Sequence, residues 1–396
     1  MPSRPVVPMR HLEAAVFALV AAAFTTIYIT QPVLPVIQET YGVDAAGASR
    51  TVSAVILGIT LSNLPFGLLA DRLPIRSLLT VGVAMVVACN LTCAWYLDLT
   101  WLVAVRFVQG LFIPALTTCL AAYLARTLPQ ERLNVVMGTY VSATVAGGLG
   151  GRLLGGLIYP TFDWRKAFLA AAALVSLAGV AALRRLPPEK RQTQEAGAAL
   201  SFGRLLGTPA LALNFAVAFS AFFVFSSIFN YMPFYLAGPA FGASTRIITL
   251  LYLAYIVGML IGPLAGRCSN RFGNGTTLIG GTVVFMAALA LSLVRALPAV
   301  VASLLGVCAG FFAIHAAAAG GLNRQLSHSR GKANALYVLF YYAGGTVGIS
   351  ASGVAYQWYG WMGVVVLGAA LLLIPLATGI WIERRPSPAA DGSGAG

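Results

Sequence analysis

Charge is scarce in this 396-residue chain. Only 9% of its residues are charged, and Asp and Glu together number 11. A water-soluble domain carries about 25% charged residues, so a soluble enzyme or binding module is excluded. Three histidines and five cysteines (Cys89, Cys93, Cys119, Cys268 and Cys308) are too few and too scattered for a metal centre or a disulfide framework. No G-x-x-x-x-G-K-[ST] phosphate loop occurs, so the chain is not expected to hydrolyse ATP, and no cofactor or metal is expected. No nucleophile–base pair stands out, which argues against an enzyme.

What fills the chain is apolar: 59% hydrophobic residues and a mean hydropathy of +0.85. Apolar runs cover roughly 12–36, 49–70, 77–97, 100–124, 134–158 and 166–183, then 209–236, 245–266, 275–294, 298–322, 333–357 and 361–382. Each is long enough to cross a bilayer as a helix, for which about 20 residues suffice. The expected fold class is therefore an all-α membrane protein with twelve transmembrane helices. A first run preceded by Arg4 and Arg10 resembles a signal peptide, but it continues past Tyr28 without a cleavage site and reads as a first span.

The net charge of +14 does not point to nucleic acid, because the basic residues are sorted by side. Alternate connections, counted from the N-terminus, hold 18 Lys and Arg, among them Arg72, Arg76, Arg126, Arg184, Arg271 and Arg324; the other set holds five, and Arg106 and Arg152 lie inside spans. Basic loops stay in the cytoplasm, so both termini are expected there, in a multi-pass protein of a bacterial inner membrane. The expected organisation is a six-helix bundle over 1–183, a cytoplasmic linker over 184–208, a second six-helix bundle over 209–385 and a disordered tail over 386–396. An offset of 197 residues superposes the halves without a gap, pairing Tyr140 with Tyr337, Gly147-Gly148 with Gly344-Gly345, Gly151 with Gly348, Gly156 with Gly353 and Trp164 with Trp361. A repeat of six-helix halves is a transporter signature.

Three segments carry a family resemblance. Gly67-Leu-Leu-Ala-Asp71-Arg72-Leu-Pro74-Ile75-Arg76 resembles the G-x-L-x-D-R-x-G-R-R signature of the major facilitator superfamily. Arg106-Phe-Val-Gln109-Gly110 resembles its R-x-x-Q-G motif, and Gly147-x-x-x-Gly151-Arg152-x-x-Gly155-Gly156 the G-x-x-x-G-P-x-x-G-G motif of its drug-efflux branch. The resemblance implies the two-bundle major facilitator fold, a monomer, and transport of a small molecule by rocker-switch alternating access. It implies a cytoplasmic gate at Asp71, Arg72 and Arg76, of which Asn270 in the second half is a copy without the carboxylate. It also links Arg106 to proton coupling or substrate handling. The residues themselves allow Arg106 a structural role on backbone carbonyls or Gln109. Gly147, Gly151, Gly155 and Gly156 suit close helix packing.

Arg152 stands where the motif has proline. An arginine within a span must be paired, wetted or snorkelled, and a cavity-facing role is expected. All eleven carboxylates lie at span ends, in loops or in tails, so two intramembrane cations have no matching anion; an anionic or neutral substrate is favoured. His315 is the leading proton carrier, with Glu39 behind it. Tyr28, Gln31, Asn230, Tyr231 and Tyr341 join Arg106, Gln109 and Arg152 as expected cavity residues, the lining helices 1, 4, 7 and 10 being implied by the resemblance. The expected partners are protons, the lipid bilayer and a small-molecule substrate, with proton-driven export favoured over import or uniport of an organic anion.

Overall fold

The computed structural model describes residues 9–95, 98–128, 130–186, 201–326 and 330–384; of residues 9–11, 130–135 and 330 only the backbone is described. Among the described residues there are twelve apolar helices: α1 Leu12–Tyr41, α2 Ala45–Arg72, α3 Ile75–Cys93, α4 Leu99–Thr127, α5 Val136–Ile158, α6 Lys166–Arg185, α7 Pro209–Ala237, α8 Thr245–Phe272, α9 Asn274–Leu291, α10 Leu297–Arg324, α11 331–359 and α12 361–384. The last two form one run of helix apart from Gly360, whose φ of 59° and ψ of −147° turn the chain between them. Most of the linker and the expected tail lie outside the described residues, but a short helix, Phe202–Leu206, leads into α7.

Local chemistry sets several boundaries. Asp44 caps α2 by accepting a 2.6 Å bond from the Gly47 amide, and Asp98 caps α4 through the Trp101 amide at 2.9 Å. Gly42 ends α1 in the left-handed region at φ 62°. The run read as one helix from residue 12 is interrupted: a helix ends at Tyr28, a 3-10 turn covers Gln31–Val33, and a second helix runs Leu34–Tyr41. Pro32 and Pro35 lack the amide that an unbroken helix would need there.

The sequence repeat is a packing repeat. On α5, Gly147, Gly151 and Gly155 lie against the backbone of Ala21, Thr25 and Ile29 of α1; on α11, Gly344 and Gly348 lie against Phe219 and Phe223 of α7. Each contact carries a hydroxyl bond across it, Thr25 to the Gly147 carbonyl at 3.1 Å and Ser226 to the Gly345 carbonyl at 3.2 Å. Small residues allow this approach, and in lipid, packing replaces hydrophobic burial as the force between helices. Gly151→Val puts a side chain into the Thr25 carbonyl. The expected result is a melting midpoint of the detergent-solubilised protein lowered by about 5 °C or more, while Gly280→Ala, where nothing lies within 4 Å, leaves it unchanged.

Between the halves the repeat recurs. Gly156 of α5 meets Thr249 of α8, and Gly353 of α11 meets Ala46 of α2. These two crossings lie near the far end of the molecule, remote from residues 9 and 384 at the ends of the described chain; the opposite end is the terminal end.

Candidate functional site

A cavity of about 400 Å³ lies between the halves, lined from α1, α5, α7, α8, α10 and α11. Its apex is Arg152, and its walls run along α5 to Gly138 and along α8 to Pro263. The lining runs from Arg152 toward the terminal end, where a Cβ added at Gly138 or Gly262 would meet nothing within 4 Å. The far end is shut by the two glycine crossings and by Asn230 of α7, which donates a 2.7 Å bond to Ser49 of α2.

Arg152 is 2% exposed and bridges the halves. It donates to Gln31 Oε1 at 2.7 Å, to the Gly148 carbonyl at 2.8 Å and to the Tyr255 hydroxyl at 2.8 Å. The rings of Tyr28 and Tyr255 lie 3.9 and 4.2 Å from its guanidinium carbon, an aromatic cage for a cation. All of these partners are neutral. The side chain does not snorkel; it is held at the cavity apex.

Across the cavity, the second half presents rings. Phe222 stacks on Tyr341 at 3.7 Å and Phe225 on Phe311 at 3.9 Å. His315 lines the cavity below them, its Nδ1 2.9 Å from the Tyr337 hydroxyl. Which of the two donates depends on the imidazole tautomer.

Tyr28, Gln31, Arg152 and Tyr341, four of the expected cavity residues, are thus gathered on one cavity, with His315 beside them. Arg106 and Gln109 are not. Arg106 is fully buried in the first bundle, bonded to the carbonyls of Thr26 (2.7 Å), Ile27 (2.5 Å) and Thr51 (3.0 Å) and to Gln109 (2.5 Å). Thr26 and Ile27 sit in the last turn of the first helix of α1, where carbonyls lack intrahelical partners and the dipole favours a cation. Arg106 therefore caps the break in α1, the structural role its neighbours allowed, and α4 contributes nothing to the lining. Asn230 seals the far end, and Tyr231 bonds the Ile349 carbonyl at 2.8 Å within the second half, so neither faces the cavity. Glu39 is exposed near the far end, beside a shallow cavity shared with Asp163 and Arg165.

At the terminal end, Asp71 pairs with Arg126 of α4 at 3.0 Å, inside its own half. Arg76 bonds the Leu186 carbonyl at 2.5 Å and Arg72 is exposed. The second half repeats the arrangement with neutral acceptors: Arg324 donates to Asn270 at 2.7 Å, to Ser269 at 2.9 Å and to Asn274. Sequence reasoning missed Tyr255, Ser49, Tyr337 and the phenylalanines. Tyr252 and Tyr255, three apart on one helical face, carried the same signal as Tyr28 and Gln31.

Two six-helix bundles related by a repeat, with a cavity on their interface closed at one end and open at the other, define a membrane carrier. The chain belongs to the major facilitator superfamily: the Major Facilitator Superfamily model matches residues 16–323. It is 28% identical over 380 residues to the inner membrane transport protein YnfM of Escherichia coli, covering 95% of this chain and 91% of that one. It is 26% identical over 383 residues to the MFS-type transporter YybF of Bacillus subtilis, with 93% of each covered. Among solved structures, a bacterial homolog of the human lysosomal transporter Spinster, in an inward-facing, unoccupied conformation, matches with TM-score 0.74 at 16% identity, over 98% of this chain and all of that one. The nucleoside transporter NupG matches with TM-score 0.76 at 14% identity, over 94% and 99%. The chain is a multi-pass membrane transporter, not an enzyme.

Proposed function

We propose that this carrier exports a small organic molecule, anionic or neutral, from the bacterial cytoplasm by proton antiport, the two bundles rocking about the cavity. The observation that carries the reading is the cavity itself, which holds Arg152 and His315 in one space with a shut far end. The sorting of basic residues supports a cytoplasmic terminal end, so the described state faces inward. In the opposite state the far end parts and the terminal end closes, with Asp71, Arg72 and Arg76 at the gate. His315 serves as the proton carrier, being the one imidazole among the lining residues, which include no carboxylate.

The test is solute-driven proton flux in proteoliposomes, across anionic, neutral and cationic compounds. Anionic or neutral solutes are expected to drive flux, and His315→Ala to keep solute transport while removing its proton coupling. Flux driven only by cationic compounds, or coupling that persists in His315→Ala, would refute the corresponding part. A second reading, import or uniport of an organic anion, is favoured by the neutral surroundings of Arg152; solute uptake without proton movement would select it.

A further inference from the structure

The shape of the Arg152 contacts says more about the ligand than its sign, given the carrier reading above. A guanidinium has five N–H donors, and here three bonds use one oxygen each of an amide, a backbone carbonyl and a phenol. A carboxylate or sulfonate would bind more strongly than any of these, because charge-assisted, two-pronged bonds to arginine are about twice as strong as bonds to neutral acceptors. The three partners are not equivalent. Gln31 and Gly148 belong to the first half, as Arg152 does. Only Tyr255 belongs to the second. An incoming anion that displaces the Tyr255 hydroxyl thus breaks a bond between the halves and leaves the first half intact. The group attached to that anion would lie against Phe222, Phe225, Phe311, Phe312 and Tyr341 of the second half, a largely aromatic wall that also carries Ser226 and His315. The volume of about 400 Å³ is in the range of pockets for drug-sized molecules.

We infer that the ligand is an organic anion with a flat apolar body, that its charged group takes Arg152 from Tyr255, and that losing this bond between the halves weakens the far-end closure made by the glycine crossings and by Asn230 and Ser49. One contact then selects the charge of the ligand and couples its binding to opening. The site discriminates by charge at the apex and by area at the wall, so a small hydrophilic anion fails for lack of wall contact, and a neutral aromatic fails for lack of the exchange.

The experiment uses the full chain in nanodiscs with Cys268, the exposed cysteine, changed to Ser, and spin labels on Thr40→Cys and Ala240→Cys, exposed positions on the two halves at the far end. The probes are naphthalene-2-carboxylate, its neutral carboxamide, and acetate. The carboxylate is expected to bind by calorimetry about 10- to 100-fold more tightly than the carboxamide or acetate and to lengthen the distance between the labels. Arg152→Gln should remove the preference for carboxylate over carboxamide, and Arg152→Lys, which keeps the charge but not the fork, should reduce it. Tyr255→Phe, with the ring retained, should populate the longer distance without ligand while still binding the carboxylate. Equal binding of the carboxamide, no binding of the carboxylate, or a bound carboxylate that leaves the distance unchanged would overturn the inference. Transport of neutral or cationic solutes alone by the same protein would overturn it and leave the carrier reading standing. A far end that opens with carboxylate in a protein that moves no solute would do the reverse.

Discussion

Replacing Arg106 with leucine is expected to leave almost no folded protein in the membrane. The guanidinium is the partner of three backbone carbonyls and of Gln109, drawn from α1, α2 and α4, and it is fully buried. Leucine fills part of the volume but satisfies none of these acceptors. A buried acceptor left unpaired costs about 1–3 kcal/mol, and water cannot reach this interior to substitute. Two of them are in the last turn of the first helix of α1, so the loss is about 3 kcal/mol or more, a large fraction of the stability of most domains. Arg106→Lys, with one ammonium for the fork, should retain some folded protein with a lowered melting midpoint. Size-exclusion traces of detergent extracts and thermal melts check both. A monodisperse Arg106→Leu protein that melts with wild type would show that the break in α1 does not depend on this residue, and would reopen the expectation that Arg106 handles substrate or protons.

The second large effect is a lock. A Cβ added at Gly156 lies 2.8 Å from the Cβ of Thr249, across the junction of the halves at the far end. A disulfide needs about 3.8 Å between Cβ atoms, a separation the two helices reach by parting about 1 Å. Gly156→Cys with Thr249→Cys, in the Cys268→Ser background, is expected to crosslink on mild oxidation and to lower transport in proteoliposomes below about a tenth of the reduced protein, with recovery on adding a reductant. The other four native cysteines are buried and do not compete. A fully crosslinked protein that transports at the reduced rate would mean that the far end does not have to open.

Twelve spans, their pairing into halves and the glycine faces were legible because each rests on a repeated pattern: apolar length, the sorting of basic residues, and an ungapped internal match. Arg152 was legible as an exception to a motif. The sites that escaped are those where the deciding fact is which way a side chain points. Arg106 and Arg152 are both arginines inside spans, and the sequence around each is apolar. One caps a break in α1 and the other faces open space, and the difference depends on where that break falls. Pro32 and Pro35 marked it, but the run was long enough to read as one helix. The phenylalanines of α7 and α10 were hidden for another reason. In a chain with 21 of them, aromatic residues on a helix facing lipid, core or cavity look alike. Asn230 was expected in the cavity because it lies on α7, one of the lining helices that the resemblance implies; here a serine of the other half meets it instead.

Under the alternating-access reading proposed above, the neutral surroundings of Arg152 would also make the transporter sensitive to voltage. With the far end sealed, the cavity takes the electrical potential of the compartment into which it opens, and the field across the membrane falls over the seal. In the rocking proposed above, the field would then fall over the other end, and the charge of Arg152 would in effect have crossed the membrane. One elementary charge is worth about 2.3 kcal/mol per 100 mV, so a potential negative on the terminal side holds the empty carrier with its cavity facing that side. An anion seated on the arginine cancels the charge and with it the electrical bias, leaving the loaded carrier free to turn.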